Sequence, residues 1–132
     1  MSGKSVIEII TEWDIVAAKQ IGRDVAKAIG FNTVDQARIT TAISELARNI
    51  YLYAKAGEII IEHIQNDQTV GIAITAVDRG PGIVDVRRVL DEGYSTSSGL
   101  GAGLPGVKRL TDHIEIDSVV GQGTTVRIEK WL

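Results

Sequence analysis

Two residues one helical turn apart, Glu45 and Asn49, form the first pair in this 132-residue sequence able to do chemistry together. An asparagine offers a neutral carboxamide oxygen, a fit ligand for Mg²⁺, a hard cation that prefers oxygen. A glutamate beside it can orient or deprotonate an attacking hydroxyl. An acid–amide pair at i, i+4 also suits an ordinary solvated helix face, so position has to decide. On a wheel of about 100° per residue, Ile39, Ile43, Leu46, Ile50 and Tyr53 centre one face. Arg38, Ala42, Glu45 and Asn49 form a stripe at its margin, where a loop folding over the buried face would meet them.

Two glycine-containing turns and one glycine-rich loop add binding groups. In VDRGPGI (77–83) an acid ends an apolar run and the chain turns on two glycines around a proline. A tight turn explains the spacing; so does a pocket in which Asp78 accepts a hydrogen bond from an exocyclic amine such as that of adenine. Gly80 and Gly82 would then let a flat base approach the backbone. GQGTT (121–125) is a hairpin turn that also offers the Thr124 hydroxyl to the same pocket. STSSGLGAGLPGVKRL (95–110) places four small polar residues before Gly99, Gly101, Gly103 and Gly106. Gly101, Gly103 and Gly106 match GxGxxG, but a dinucleotide fingerprint follows a buried strand and has an acid about 20 residues on. Here a polar loop precedes the glycines and Val126 holds the later place. The stretch reads instead as a phosphate-binding lid. Its backbone N–H groups approach an anion, a helix starting at Pro105 points its positive end there, and Lys108 and Arg109 add charge in that helix's first turns.

The elements that must position these groups are legible in outline. Residues 5–11, rich in β-branched side chains, read as a strand. Residues 11–30 read as a helix with Val16/Ala17, Ile21, Val25 and Ala28/Ile29 on its apolar side and Gly30 as its stop. A second helix spans about 33–53. Strands at 57–64 and 69–78 flank the polar turn QNDQ, a short helix covers 85–91, and two closing strands surround GQG. Hairpin-linked strands predict a mixed, mostly antiparallel sheet with the helices on one face, an α+β two-layer sandwich.

Composition narrows the class further. Hydrophobic residues at 44% and charged residues at 23% are those of a globular chain, and the length suits a single domain over 1–132. A net charge of −3 gives no reason to expect nucleic acid or a membrane surface as partner. There are no cysteines, and the two histidines, His63 and His113, are far apart, so neither disulfides nor a zinc site is expected. No apolar run reaches membrane-spanning length and no signal peptide is visible, so a cytoplasmic location is expected.

Taken together, the motifs resemble those of the GHKL ATPase/kinase superfamily. ELARN (45–49) is similar to its N box, DRGPG (78–82) to its first glycine box, GLGAGLPGVKRL (99–110) to its second glycine box with the ATP lid, and GQGT (121–124) to its last. The order and spacing agree over nearly the whole chain, and the resemblance implies the Bergerat α/β sandwich. With EWDIVAA and VDQARITTAISELARNIYLYA added, the sequence resembles the RsbT-type switch serine kinases of the bacterial stressosome. That resemblance implies an ATP- and Mg²⁺-dependent serine/threonine-protein kinase. It would phosphorylate STAS-domain proteins and, once released, activate a metal-dependent serine phosphatase. It also implies roles: Asn49 on Mg²⁺, Glu45 as base or orienting carboxylate, and Asp78 on adenine. Gly80, Gly82, Gly99, Gly101, Ala102, Gly103, Leu104 and Thr124 would line the nucleotide, with Gly101 and Gly103 at its phosphates. Many relatives carry a basic residue four after the N-box asparagine, where this chain has Tyr53. The alternative is a nucleotide-dependent binding module, acting mainly as a phosphatase activator or anti-sigma-type switch. A detached histidine-kinase domain is a weaker third, since neither histidine sits in a helical phospho-acceptor setting.

Overall fold

Strand β1 (Lys4–Ile9) leads into α1 (Glu12–Ile29) and α2 (Thr33–Asn49), which runs directly into a π-helical turn at Ile50–Ala54. The hairpin β2 (Gly57–Gln65) and β3 (Val70–Asp78) follows; then come α3 (Gly103–Leu110) and a second hairpin, β4 (His113–Val119) with β5 (Gly123–Trp131). The computed structural model describes residues 4–83 and 103–132. The short helix expected at 85–91, and all of the lid up to residue 102, lie outside the described residues.

Both long helices begin on side-chain caps. Asp14 accepts hydrogen bonds from the backbone N–H groups of Thr11 (2.8 Å) and Ile10 (2.9 Å) at the start of α1. Asn32 accepts from the Asp35 N–H at 2.8 Å at the start of α2. Gly30, with φ of 118°, closes α1 as expected.

The five strands form one sheet in the order β1-β2-β3-β5-β4, every neighbouring pair antiparallel. Alternation divides its faces. Ile7, Ile9, Ile59, Ile61, Ile72, Ile74, Val126 and Ile128 are buried on one face, against Ile39, Ile43, Leu46 and Ile50. Glu58, Glu62, Arg127 and Glu129 point the other way, where Arg127 pairs with both Glu62 and Glu129. This is the expected two-layer α+β sandwich. Each large aliphatic side chain it buries contributes about 1.5–3 kcal/mol.

Three expectations need correction. The buried stripe of α1 is Ala18, Gly22 and Ala26, with Ile15, Ile21, Val25 and Ile29 flanking it half-buried; Val16, Ala17 and Ala28 are exposed. Small residues lie deepest because α1 presses close: a Cβ on Gly22 would collide with Ile43 Cδ1. The α-helical part of α2 stops at Asn49 instead of continuing to Tyr53, because the chain widens into the π turn, which Lys55 ends with a positive φ of 70°. Helix α3 starts at Gly103, not Pro105; proline is tolerated anywhere in a first turn, where its missing N–H has no helical partner. Lys108 and Arg109 consequently occupy the last turn, where they complement the negative end of the helix dipole.

Candidate functional site

Asp78 ends β3, and the sheet register sets what surrounds it. Its cross-strand partner on β5 is Thr124, whose partner on β4 is Ser118, so three polar side chains stand in a row across three strands on the helix-covered face. The carboxylate is fixed by the turn that follows, for Asp78 Oδ1 accepts the Gly80 N–H at 2.8 Å. The two turns that flank the row are tied to each other. Gly121 N–H donates to Pro81 O (2.9 Å) and Ile83 N–H to Ser118 Oγ (2.7 Å). Gly82 is needed at this crossing. Its φ is +80°, and a Cβ there would lie 2.6 Å from Val119 O.

Above the row lies a cleft with about 470 Å³ of space free of protein atoms, open water included. Leu46, Asn49, Ile50, Tyr53 and Ala54 line one side, Ala76, Asp78, Thr124 and Val126 the floor, Pro81, Gly82 and Ile83 one end, and Leu104 of α3 another. The π turn helps make this space, since it turns Tyr53 and Ala54 to the cavity beside Asn49. Apolar walls with a carboxylate, a hydroxyl and a carboxamide suit a flat ring bearing an amine.

Glu45 stands apart from this cavity. It lines an adjoining concavity with Thr41, Gly103, Gly106, Arg109 and Leu110. Its carboxylate lies against the first residue of α3, where a Cβ on Gly103 would sit 2.6 Å from Glu45 Oε2. Glu45 and Asn49 are both half-buried, as the marginal stripe requires, whereas Ala42 is fully buried and Arg38 is exposed and paired with Asp35. The structure thus brings Asn49, Asp78, Gly82, Leu104 and Thr124 together in one cavity and sets Glu45 and Gly103 beside it. Gly80 is drawn behind Asp78, with the place of its missing side chain against Ala54 Cβ rather than the cavity. Gly99, Gly101 and Ala102 lie outside the described residues.

Residues 34–132 match the family model described as histidine kinase-, DNA gyrase B-, and HSP90-like ATPase. The chain belongs to that family. It is 61% identical to the serine/threonine-protein kinase RsbT of Bacillus subtilis over all 132 residues, which is 99% of that protein. It is 32% identical to an anti-sigma F factor of Caldanaerobacter subterraneus over 102 residues, 73% of this chain and 70% of the relative. In fold it is similar to the mycobacterial sensor histidine kinase MprB, with a TM-score of 0.58 at 15% identity over 98% of this chain and 97% of that one. The catalytic domain of histidine kinase ThkA gives 0.57 at 15%, covering 96% and 97%. The expected GHKL sandwich and the expected RsbT-type serine/threonine-protein kinase are therefore borne out, and ATP is the nucleotide that the family implies. No helix among the described residues is long and apolar enough to cross a membrane.

Sequence reasoning missed Ser118, Ile83 and the cavity-facing place of Tyr53. A signal for Ser118 was present. In HIEIDSVV the alternation that turns Ile114 and Ile116 inward also turns residue 118 inward, and a polar residue at an inward position needs a partner. Tyr53 carried no such signal, because it continues the apolar stripe of α2 on an ideal wheel.

Proposed function

We propose that this protein is an ATP- and Mg²⁺-dependent kinase that phosphorylates serine or threonine on STAS-domain proteins of the stressosome and, once released from them, activates a metal-dependent serine phosphatase. The observation that carries the nucleotide half is the cavity at the end of β3, with Asp78 and Thr124 on its floor and Asn49 on its wall. Asp78 would accept the exocyclic amine of the base at that floor. The N-terminal end of α3 would favour the phosphates of the nucleotide.

Among the described residues no group of three or more histidine, aspartate or glutamate side chains could cage a metal. That suits Mg²⁺ at a nucleotide, which is held by one or two protein groups together with phosphate oxygens and water. The carboxamide of Asn49, half-buried at the cavity wall, is the protein oxygen for it. When bound, the ion neutralises charge on the phosphates. Glu45 serves the acceptor. In the adjoining concavity its carboxylate orients the partner's hydroxyl and takes its proton as the phosphoryl group is transferred. Resemblance to RsbT-type kinases, together with 61% identity to a protein bearing that name, supports the choice of a protein hydroxyl as acceptor.

Incubation with labelled ATP, Mg²⁺ and candidate STAS-domain proteins, followed by phosphoamino-acid analysis, tests this function. Labelled phosphoserine or phosphothreonine on the partner is the expected result. A second reading, a nucleotide-dependent binding module, is favoured by the anti-sigma F factor relatives at 29–32% identity. It predicts ATP-dependent complex formation with no label transferred.

A further inference from the structure

We infer that Ser118 fixes the hydrogen-bonding polarity of Thr124, so that the cavity floor accepts a base edge bearing an amine and rejects one bearing a carbonyl. The inference rests on the nucleotide reading above and adds to it a residue that determines which base is bound. Ser118 Oγ lies within bonding distance of three groups: Ile83 N at 2.7 Å, Gly123 O at 3.1 Å and Thr124 Oγ1 at 2.9 Å. A hydroxyl has one proton to donate and two lone pairs to accept with. The Ile83 N–H only donates, so it occupies a lone pair. The Gly123 carbonyl only accepts, so it receives the proton. With the proton on Gly123 O, one lone pair remains for Thr124, whose own proton then points at Ser118. In that arrangement every group in the cluster has a partner.

The consequence falls on the face of Thr124 that lines the cavity. With its proton committed to Ser118, Thr124 Oγ1 shows only lone pairs to a ligand. Its cross-strand neighbour Asp78 is a carboxylate, which accepts only, and one of its oxygens is already engaged by the Gly80 N–H. The polar side chains of the floor are thus acceptors throughout. An exocyclic amine brings two N–H donors, one for each. A carbonyl oxygen in the same place meets lone pairs on both and is left without a donor, the circumstance in which polar sites discriminate most strongly. Ser118 touches no ligand in this scheme. It is a positioning residue, and removing its hydroxyl frees Thr124 to rotate and donate.

The test compares binding of ADP and of inosine diphosphate, which carries a 6-oxo group in place of the amine, by calorimetry. The proteins are the wild type, Ser118→Ala, Thr124→Val and the double variant, with thermal melting to verify folding. The wild type is expected to favour ADP, and Ser118→Ala to shrink that preference by on the order of five- to tenfold, mainly through tighter binding of the inosine nucleotide. In the Thr124→Val background the same substitution should leave the ratio of the two affinities unchanged. A merely structural Ser118 would weaken both nucleotides together, and an unaltered ratio in folded Ser118→Ala overturns the inference. If that variant does not fold, Ser118→Cys keeps the shape with far weaker hydrogen bonds and is held to the same ratio. A wild type that binds neither nucleotide overturns the nucleotide reading itself. ADP binding with a ratio indifferent to residue 118 overturns only the role of Ser118.

Discussion

Asp78 on the floor of the cavity and Asn49 on its wall each carry a separable expectation. Asp78→Asn keeps an oxygen for the Gly80 N–H but exchanges a charged acceptor for a neutral amide. A hydrogen bond to a charged group is worth about 1.5–3 kcal/mol, so ATP affinity should fall at least tenfold in calorimetric titration. If Asp78 served only the turn, the melting temperature would drop while the affinity of the folded protein held. Asn49→Ala removes one oxygen from a half-buried position, so circular dichroism should be unchanged while phosphotransfer to a partner is abolished. A variant transferring phosphate at the wild-type rate would remove Asn49 from the metal. At this scale much of the cavity was legible in the sequence, because acids, amides and glycines carry their chemistry in their type. Ser118 was not read, for a serine in a strand matters only through the neighbours that the register brings to it.

Helix α1 shows what an element takes from its ends and from its depth. Asp14 accepts backbone N–H groups from Thr11 and Ile10, and these bonds hold its carboxyl below the usual aspartate range. A carboxyl whose pKa is lower in the folded chain stabilises it above the unfolded value, near pH 4, and loses that contribution as the pH falls through the folded value. Asp14→Ala should therefore lower the melting temperature at pH 7, and the gap to wild type should close as both are acidified toward pH 2. A gap independent of pH would mean that Asp14 acts without its charge. Both hairpins and the amphipathic face of α2 followed directly from periodicity and turn residues. The depth of α1 did not. Helical spacing pointed to Val16/Ala17, Ile21, Val25 and Ala28/Ile29, whereas the deepest stripe is Ala18, Gly22 and Ala26, with Gly22 close against Ile43. The π turn at Ile50–Ala54 was equally hidden, because an ideal wheel carries the apolar stripe of α2 straight through to Tyr53.

Over the whole molecule, the sheet that carries Asp78, Thr124 and Ser118 is also the floor of the hydrophobic core. Val126 and Ile128 follow Thr124 on the same face of β5, and Arg127 and Glu129 occupy the other. Binding and burial should therefore be lost together. In a urea titration, the midpoint read from circular dichroism and the midpoint read from retained ADP binding should coincide, as a two-state domain requires. Nucleotide binding that vanishes well before the fold would show a site held by something more local than the sheet.

The three-strand row has a meaning for errors as well as for binding. Side chains alternate with a period of two, so a slip of β5 by one residue turns Thr124 away from the cavity. The same slip drives Arg127 and Glu129 into the aliphatic core and leaves Val126 and Ile128 in water. A misaligned chain cannot pass as a slightly impaired one: the displacement that silences it also displays greasy surface to proteases and chaperones. Copies misaligned in this way announce themselves for clearance instead of lingering as folded decoys.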